Sequence, residues 1–121
     1  MTEIDTRTES LVPSWLSLPD VAERLGVDVT RVRQLVRDRH ILAVRRGEQH
    51  TLQVPEAFIE GDKVLKGLPG TLTVLTDNGF SDDEALRWLF TEDESLPGSP
   101  VTALREHRGT EVNRRAQALG F

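Results

Sequence analysis

The sequence contains no cysteine. Disulfides and thiolate metal sites are excluded from the outset. Also missing is any apolar run approaching the roughly 18 residues that a membrane-spanning helix needs, and no secretory leader pattern opens the chain. These absences lead us to expect a cytoplasmic protein with no membrane partner. The three histidines, His40, His50 and His107, lack the spacing of metal ligands, so no metal site is expected. There is no Ser/His/Asp order, no phosphate-cradling loop and no zinc motif. Neither an enzyme nor a cofactor-binding protein is therefore expected. The two acidic clusters do not change this. Asp82, Asp83 and Glu84 are adjacent and point to different faces of a helix, where their simpler role is to favour its N-terminus. Glu92, Asp93 and Glu94 have no basic or nucleophilic neighbour in sequence.

What is present fits a globular chain of 121 residues, 37% hydrophobic and 29% charged, with room for one ordinary core or two very small subdomains. The net charge of -5 is unevenly spread. Between Arg24 and Arg46 there are seven arginines against only Asp28 and Asp38, so this window carries +5 and the remainder -10. A compact basic segment in an acidic protein is either a solvated helix face or the electrostatic footprint of a nucleic-acid site. The local pattern has to decide between them.

Residues 1–14 are polar and read as a flexible arm, with Trp15 and Leu16 opening the folded part. Ser17 can cap a helix whose buried stripe is Val21, Ala22 and Leu25, with Pro19 tolerated in the first turn and Gly26 as its end. Asp28 caps a second helix after a very short connection. Its inward stripe is Val32, Leu35 and Val36, and its opposite face carries Thr30, Arg33, Gln34 and Arg37, with Arg31 on a flank. Two short helices joined tightly through glycine form the helix-turn-helix signature. Leu42 to Arg46 and Thr51 to Val54 are β-prone runs around a Gly-containing polar turn, which predicts a hairpin wing. Pro55 and Glu56 start a helical turn with Ala57, Phe58 and Ile59 inward. The second half reads as short helices: one opened by Pro69 and ended at Asn78-Gly79, one capped by Ser81 with Glu84, one from Ser99-Pro100, and a last one ended by Gly120. The expected architecture is mainly α with a small β-hairpin wing: arm 1–14, winged helix-turn-helix 15–60, and a helical C-terminal domain 61–121.

The stretch LSLPDVAERLGVDVTRVRQLVRDRHILAVRRGEQHTLQVPEAFI, residues 16–59, resembles the excisionase and MerR-like winged-helix domains in the order of its parts. The pattern of these domains is an opening Leu-Ser/Thr, a helix ending Leu-Gly-Val, a capped recognition helix, a wing beginning Leu-x-Ala-x-Arg, and a terminal Pro-helix. Gly67-Leu68-Pro69-Gly70, Arg87-Trp88-Leu89-Phe90 and Arg114 to Leu119 look like the C-terminal domain of a family of small actinobacterial DNA-binding regulators, a domain without a settled function. A fainter likeness joins the Trp-Leu, Ser-Pro and Leu order to the toxin-binding domain of Xre-type antitoxins.

The resemblance implies a transcriptional regulator that binds double-stranded DNA. The helix at about 29–39 would enter the major groove, where base edges carry a full donor and acceptor code. Arg33 is the expected base reader and Arg37 a mixed base and phosphate contact, with Gln34 suited to adenine and Thr30 to a thymine methyl or a phosphate. Arg45 and Arg46, in the wing at about 42–54, would touch backbone or the minor groove, unless they form cross-strand bridges with an acid such as Glu48. Arg31 completes the candidate set. Thr6 and Thr8, hydroxyls in the arm, are candidate phosphorylation sites whose added charge would compete with DNA phosphate. Because one winged helix spans few base pairs, a homodimer or protein partner through the C-terminal helices is expected. The alternative is a protein-interaction module, antitoxin-like, with the winged helix as scaffold. The two readings differ in whether Arg33, Arg37, Arg45 and Arg46 form one exposed basic face.

Overall fold

The computed structural model describes residues 4–96 and 98–119. Local caps explain where most helices begin. Ser17 accepts the Asp20 amide at the start of α2 (Leu18–Leu25), and Asp28 accepts the Arg31 amide at the start of α3 (Val29–Arg37). Between them Gly26 adopts φ 69°, a left-handed turn that glycine enters without Cβ strain, which lets α3 follow after only three residues. Val21, Ala22, Val32, Leu35 and Val36 are buried where these helices meet.

Three short antiparallel strands back the helices: β1 (Trp15–Ser17), β2 (Val44–Arg46) and β3 (Thr51–Pro55), in the order β1-β3-β2. The wing hairpin pairs Val44 with Gln53 and Arg46 with Thr51, and β1 adds Leu16 opposite Val54 on the far side of β3. β1 was not anticipated as a strand. Its three residues carry no period of their own, and it exists because β3 offers it an edge. A 3-10 turn, Glu56–Phe58, follows, and then a two-stranded hairpin of β4 (Ile59–Glu60) and β5 (Lys63–Val64). The sequence reading missed this hairpin, which straddles the expected boundary at residue 60.

The rest is helical: α4 (Leu68–Asp77), α5 (Asp82–Phe90), α6 (Pro100–Arg105) and α7 (Gly109–Ala118). The expected end of the last helix at Gly120 lies outside the described residues. α4 and α7 pack side by side, with Thr71 bonded to Asn113 (2.6 Å) and the Asn78 amide donating to the Ala116 carbonyl (2.9 Å). One hydrophobic cluster runs from Val12 through Phe58 and Leu65 to Val112 and Ala116, so the two halves share a core. No helix among the described residues is long and apolar enough to cross a membrane.

The flexible-arm expectation requires correction. Thr6–Leu11 form a helix, α1, capped by Asp5. Six residues are too few to hold a helix in water unaided, so the cause is tertiary: α1 lies against α5. Asp83 accepts the Asp5 amide (2.8 Å) and the Thr8 hydroxyl (3.2 Å), and Arg87 donates to Thr8 (3.3 Å). Such pairings, 75 or more residues apart in the chain, leave no trace in local sequence.

α5 begins with a full capping box: the Ser81 hydroxyl accepts the Glu84 amide while Glu84 accepts the Ser81 amide (2.9 Å). The Ser81 amide and hydroxyl, and more weakly Arg87, hold the Glu84 carboxyl below its ordinary pKa. The stabilisation is therefore complete above the unfolded glutamate value of about 4.3 and is lost as pH falls through the lower folded value. In urea titrations the native protein is expected to exceed Glu84→Gln in stability at pH 7, with the gap closing towards pH 3. A gap independent of pH would show that the carboxylate charge contributes nothing.

Candidate nucleic-acid interface

α3 presents Thr30, Arg31, Arg33, Gln34 and Arg37 to solvent, as its periodicity requires once Val32, Leu35 and Val36 face inward. Arg31 and Gln34, one turn apart, bond to each other (3.0 Å). Arg33 and Arg37 lie within salt-bridge distance of no acid among the described residues. Both overhang a hollow floored by Leu18, Val36 and Leu52. A second hollow continues from it towards the wing, lined by Leu18, Pro19, Val29, Arg33, Arg45, His50, Thr51 and Leu52. Arg33 borders both. The result is one cleft between helix and hairpin with an apolar floor and three arginines, Arg33, Arg37 and Arg45, on its rim. Arg45 also donates to the His50 carbonyl (3.0 Å), which ties its guanidinium to the wing turn.

The floor residues Leu18 and Leu52 were not singled out in the sequence. Leu52 could have been found from its place opposite Arg45 in the hairpin, since directly paired residues share a sheet face.

Arg46 departs from expectation. Successive strand residues point to opposite faces, so with Arg45 facing the cleft Arg46 faces the back of the sheet. There its guanidinium stacks 4.4 Å from the centre of the Trp15 ring, donates to Gln53 (2.8 Å) and pairs with Glu9 of α1 (3.1 Å). The acid that engages it is Glu9, from the supposed arm, and not the wing's Glu48. The four-arginine face thus reduces to three.

Other cations of the basic window are ties within the fold. Arg39, in a left-handed conformation just past α3, bonds Thr76 of α4 (3.0 Å) and pairs with Asp82 of α5 (2.8 Å). Arg24 pairs with Glu56, whose pKa is lowered chiefly by that contact and by Ser14. Of the two threonines considered for phosphorylation, Thr6 is exposed at the start of α1, whereas Thr8 is fully buried between Asp83 and Arg87. Trp15 and Trp88 are half-buried, and Phe58 and Phe90 are buried core with ring centres 5.8 Å apart. Among the described residues no three potential metal ligands gather in one place.

Two capped helices joined by a left-handed glycine, a hairpin beside the second helix, and a basic cleft between them define a winged helix-turn-helix protein. The winged helix-turn-helix model of the DNA-binding protein Rv2175c matches residues 3–59, and the model of the Rv2175c C-terminal domain of unknown function matches residues 65–120. The chain is 45% identical over 117 residues to DNA-binding protein Rv2175c of Mycobacterium tuberculosis (strain ATCC 25618 / H37Rv), an overlap covering 86% of this chain and 79% of that protein. The NMR structure of Rv2175c matches with a TM-score of 0.80 and 42% identity, over 89% of this chain and 82% of that one. The chain belongs to the Rv2175c family.

Proposed function

We propose that this protein binds double-stranded DNA and regulates transcription, acting in the cytoplasm where its DNA lies. α3 enters the major groove and the wing follows the adjacent backbone or minor groove, as in the excisionase and MerR-like domains that the sequence resembles. The observation that carries this reading is the cleft itself: Arg33, Arg37 and Arg45 rim one continuous surface spanning helix and wing, and no acid pairs with them among the described residues. A relative 45% identical bears the name DNA-binding protein, which supports the same reading. Arg33 reads a base edge, Arg37 shares base and phosphate, Arg45 holds phosphate, and Thr30, Arg31 and Gln34 flank them. The net charge of -5 does not oppose this, because attraction depends on the local field at the cleft.

Few phosphate contacts make for weak single-domain binding, so the reading includes assembly into a dimer, or with a partner, through the C-terminal helices. The test is fluorescence anisotropy of the full chain against a random duplex pool at a series of salt concentrations. Binding should weaken linearly in log-log form, and Arg45→Ala should reduce the slope by about 0.9, the value of one phosphate contact. Absence of wild-type binding at low salt would overturn the DNA reading and leave the protein-interaction alternative.

A further inference from the structure

α1 links two parts of the molecule that sequence places far apart. One side meets α5: Asp83 accepts the Asp5 amide and the Thr8 hydroxyl and pairs with Arg87 (2.7 Å). From the same short helix Glu9 reaches the wing and pairs with Arg46. Arg46 is otherwise held by the Trp15 ring and by Gln53, and its side chain is only 23% exposed. Its buried Nε has no hydrogen-bond partner among the described residues, so this guanidinium is desolvated and depends on its few remaining contacts.

The wing needs such support. β2 is an edge strand of three residues, paired on one side only, and of the three only Val44 is buried in the core. Arg45, on the cleft side of β2, can stand in a defined place only if β2 does. The clasp on Arg46, one residue on and on the opposite face, engages the turn-side end of β2 from behind, while buried Val44 anchors the other end.

We propose that α1 is a brace that fixes the wing from the C-terminal helices, which makes Glu9, Arg46 and Asp83 positioning residues for DNA binding through Arg45. The proposal rests on the DNA reading above. None of the three side chains lines the cleft. They act by limiting the motion of the wing, and a change at α5 is thereby felt at the DNA-facing surface.

The test has two arms. In hydrogen exchange without DNA, Glu9→Gln and Asp83→Asn should each speed exchange across residues 44–53 while amides of α3 and α7 keep wild-type rates, which also shows that the variants are folded. In DNA titration each variant should bind about threefold to tenfold more weakly than wild type. Glu9→Gln should cost nothing further on an Arg45→Ala background, since it acts through that contact, yet cost its full amount on an Arg33→Ala background. A merely structural role would weaken both backgrounds alike. Unchanged exchange in the wing, or equal losses on the two backgrounds, would overturn the brace. Wild-type protein that fails to bind would instead remove the DNA reading, and with it any positioning role, whatever the exchange arm shows.

Discussion

Replacement of both Arg33 and Arg37 by alanine is expected to weaken binding to a random duplex pool by about tenfold or more, the largest loss of any pair on the surface. Each bidentate arginine contact to a base is worth about 1–3 kcal/mol, and its effect on a selected target site should exceed that on random sequence. Both side chains are exposed and have no ion-pair partner among the described residues, so their removal leaves no buried charge and should not unfold the protein. The single variants separate the roles. Arg33→Ala should reduce discrimination between sequences and leave the salt slope near its wild-type value, because a base contact releases no condensed counterion. Arg37→Ala should lower affinity on all sequences and flatten the slope by up to about 0.9. Anisotropy at four or five salt concentrations distinguishes the two. A double variant that binds as wild type does would place the interface elsewhere.

The second large effect concerns stability. Phe58 is fully buried at the end of the 3-10 turn, its ring 5.8 Å from Phe90 at the end of α5, and its carbonyl accepts the Leu65 amide (2.8 Å). It lies at the end of the segment matched by the winged helix-turn-helix model, residues 3–59, and belongs to the cluster that joins the two halves. Phe58→Ala removes this contact and leaves a cavity, at a cost of about 3–5 kcal/mol. Calorimetry should show the melting temperature falling by roughly 10–20 °C. Because the core is shared, wild type should unfold in one transition, with calorimetric and van't Hoff enthalpies equal. Two separate transitions in the wild type would show that the halves fold independently and that Phe58 serves only one of them.

These effects explain why the arginines of the basic window do not act alike. Seven arginines between residues 24 and 46 invite reading as a single nucleic-acid surface. In the structure Arg24, Arg39 and Arg46 are engaged by Glu56, Asp82 and Glu9, while Arg33, Arg37 and Arg45 face the cleft. Charge density singles out a region of the chain, and geometry decides which of its arginines face the cleft.

The sequence by itself determined whatever depends on near neighbours in the chain. The caps at Ser17, Asp28, Ser81 and Ser99 act across three residues, Gly26 answers a backbone requirement at its own position, and the burial of Val32, Leu35 and Val36 follows from the helical period. From these came the helix-turn-helix, the exposed face of α3, and most of the C-terminal helices. The tertiary structure alone decided what depends on distant partners. β1 is a strand because β3 lies beside it, and α1 is a helix because Asp83 and Arg87 receive it. The alternation of a strand could have separated Arg45 from Arg46, but only the packing of α1 says which of the two faces the cleft and which the protein. Contacts of this kind depend on segments far apart in the chain brought together by folding of the whole core, and nothing in a local window of sequence records them.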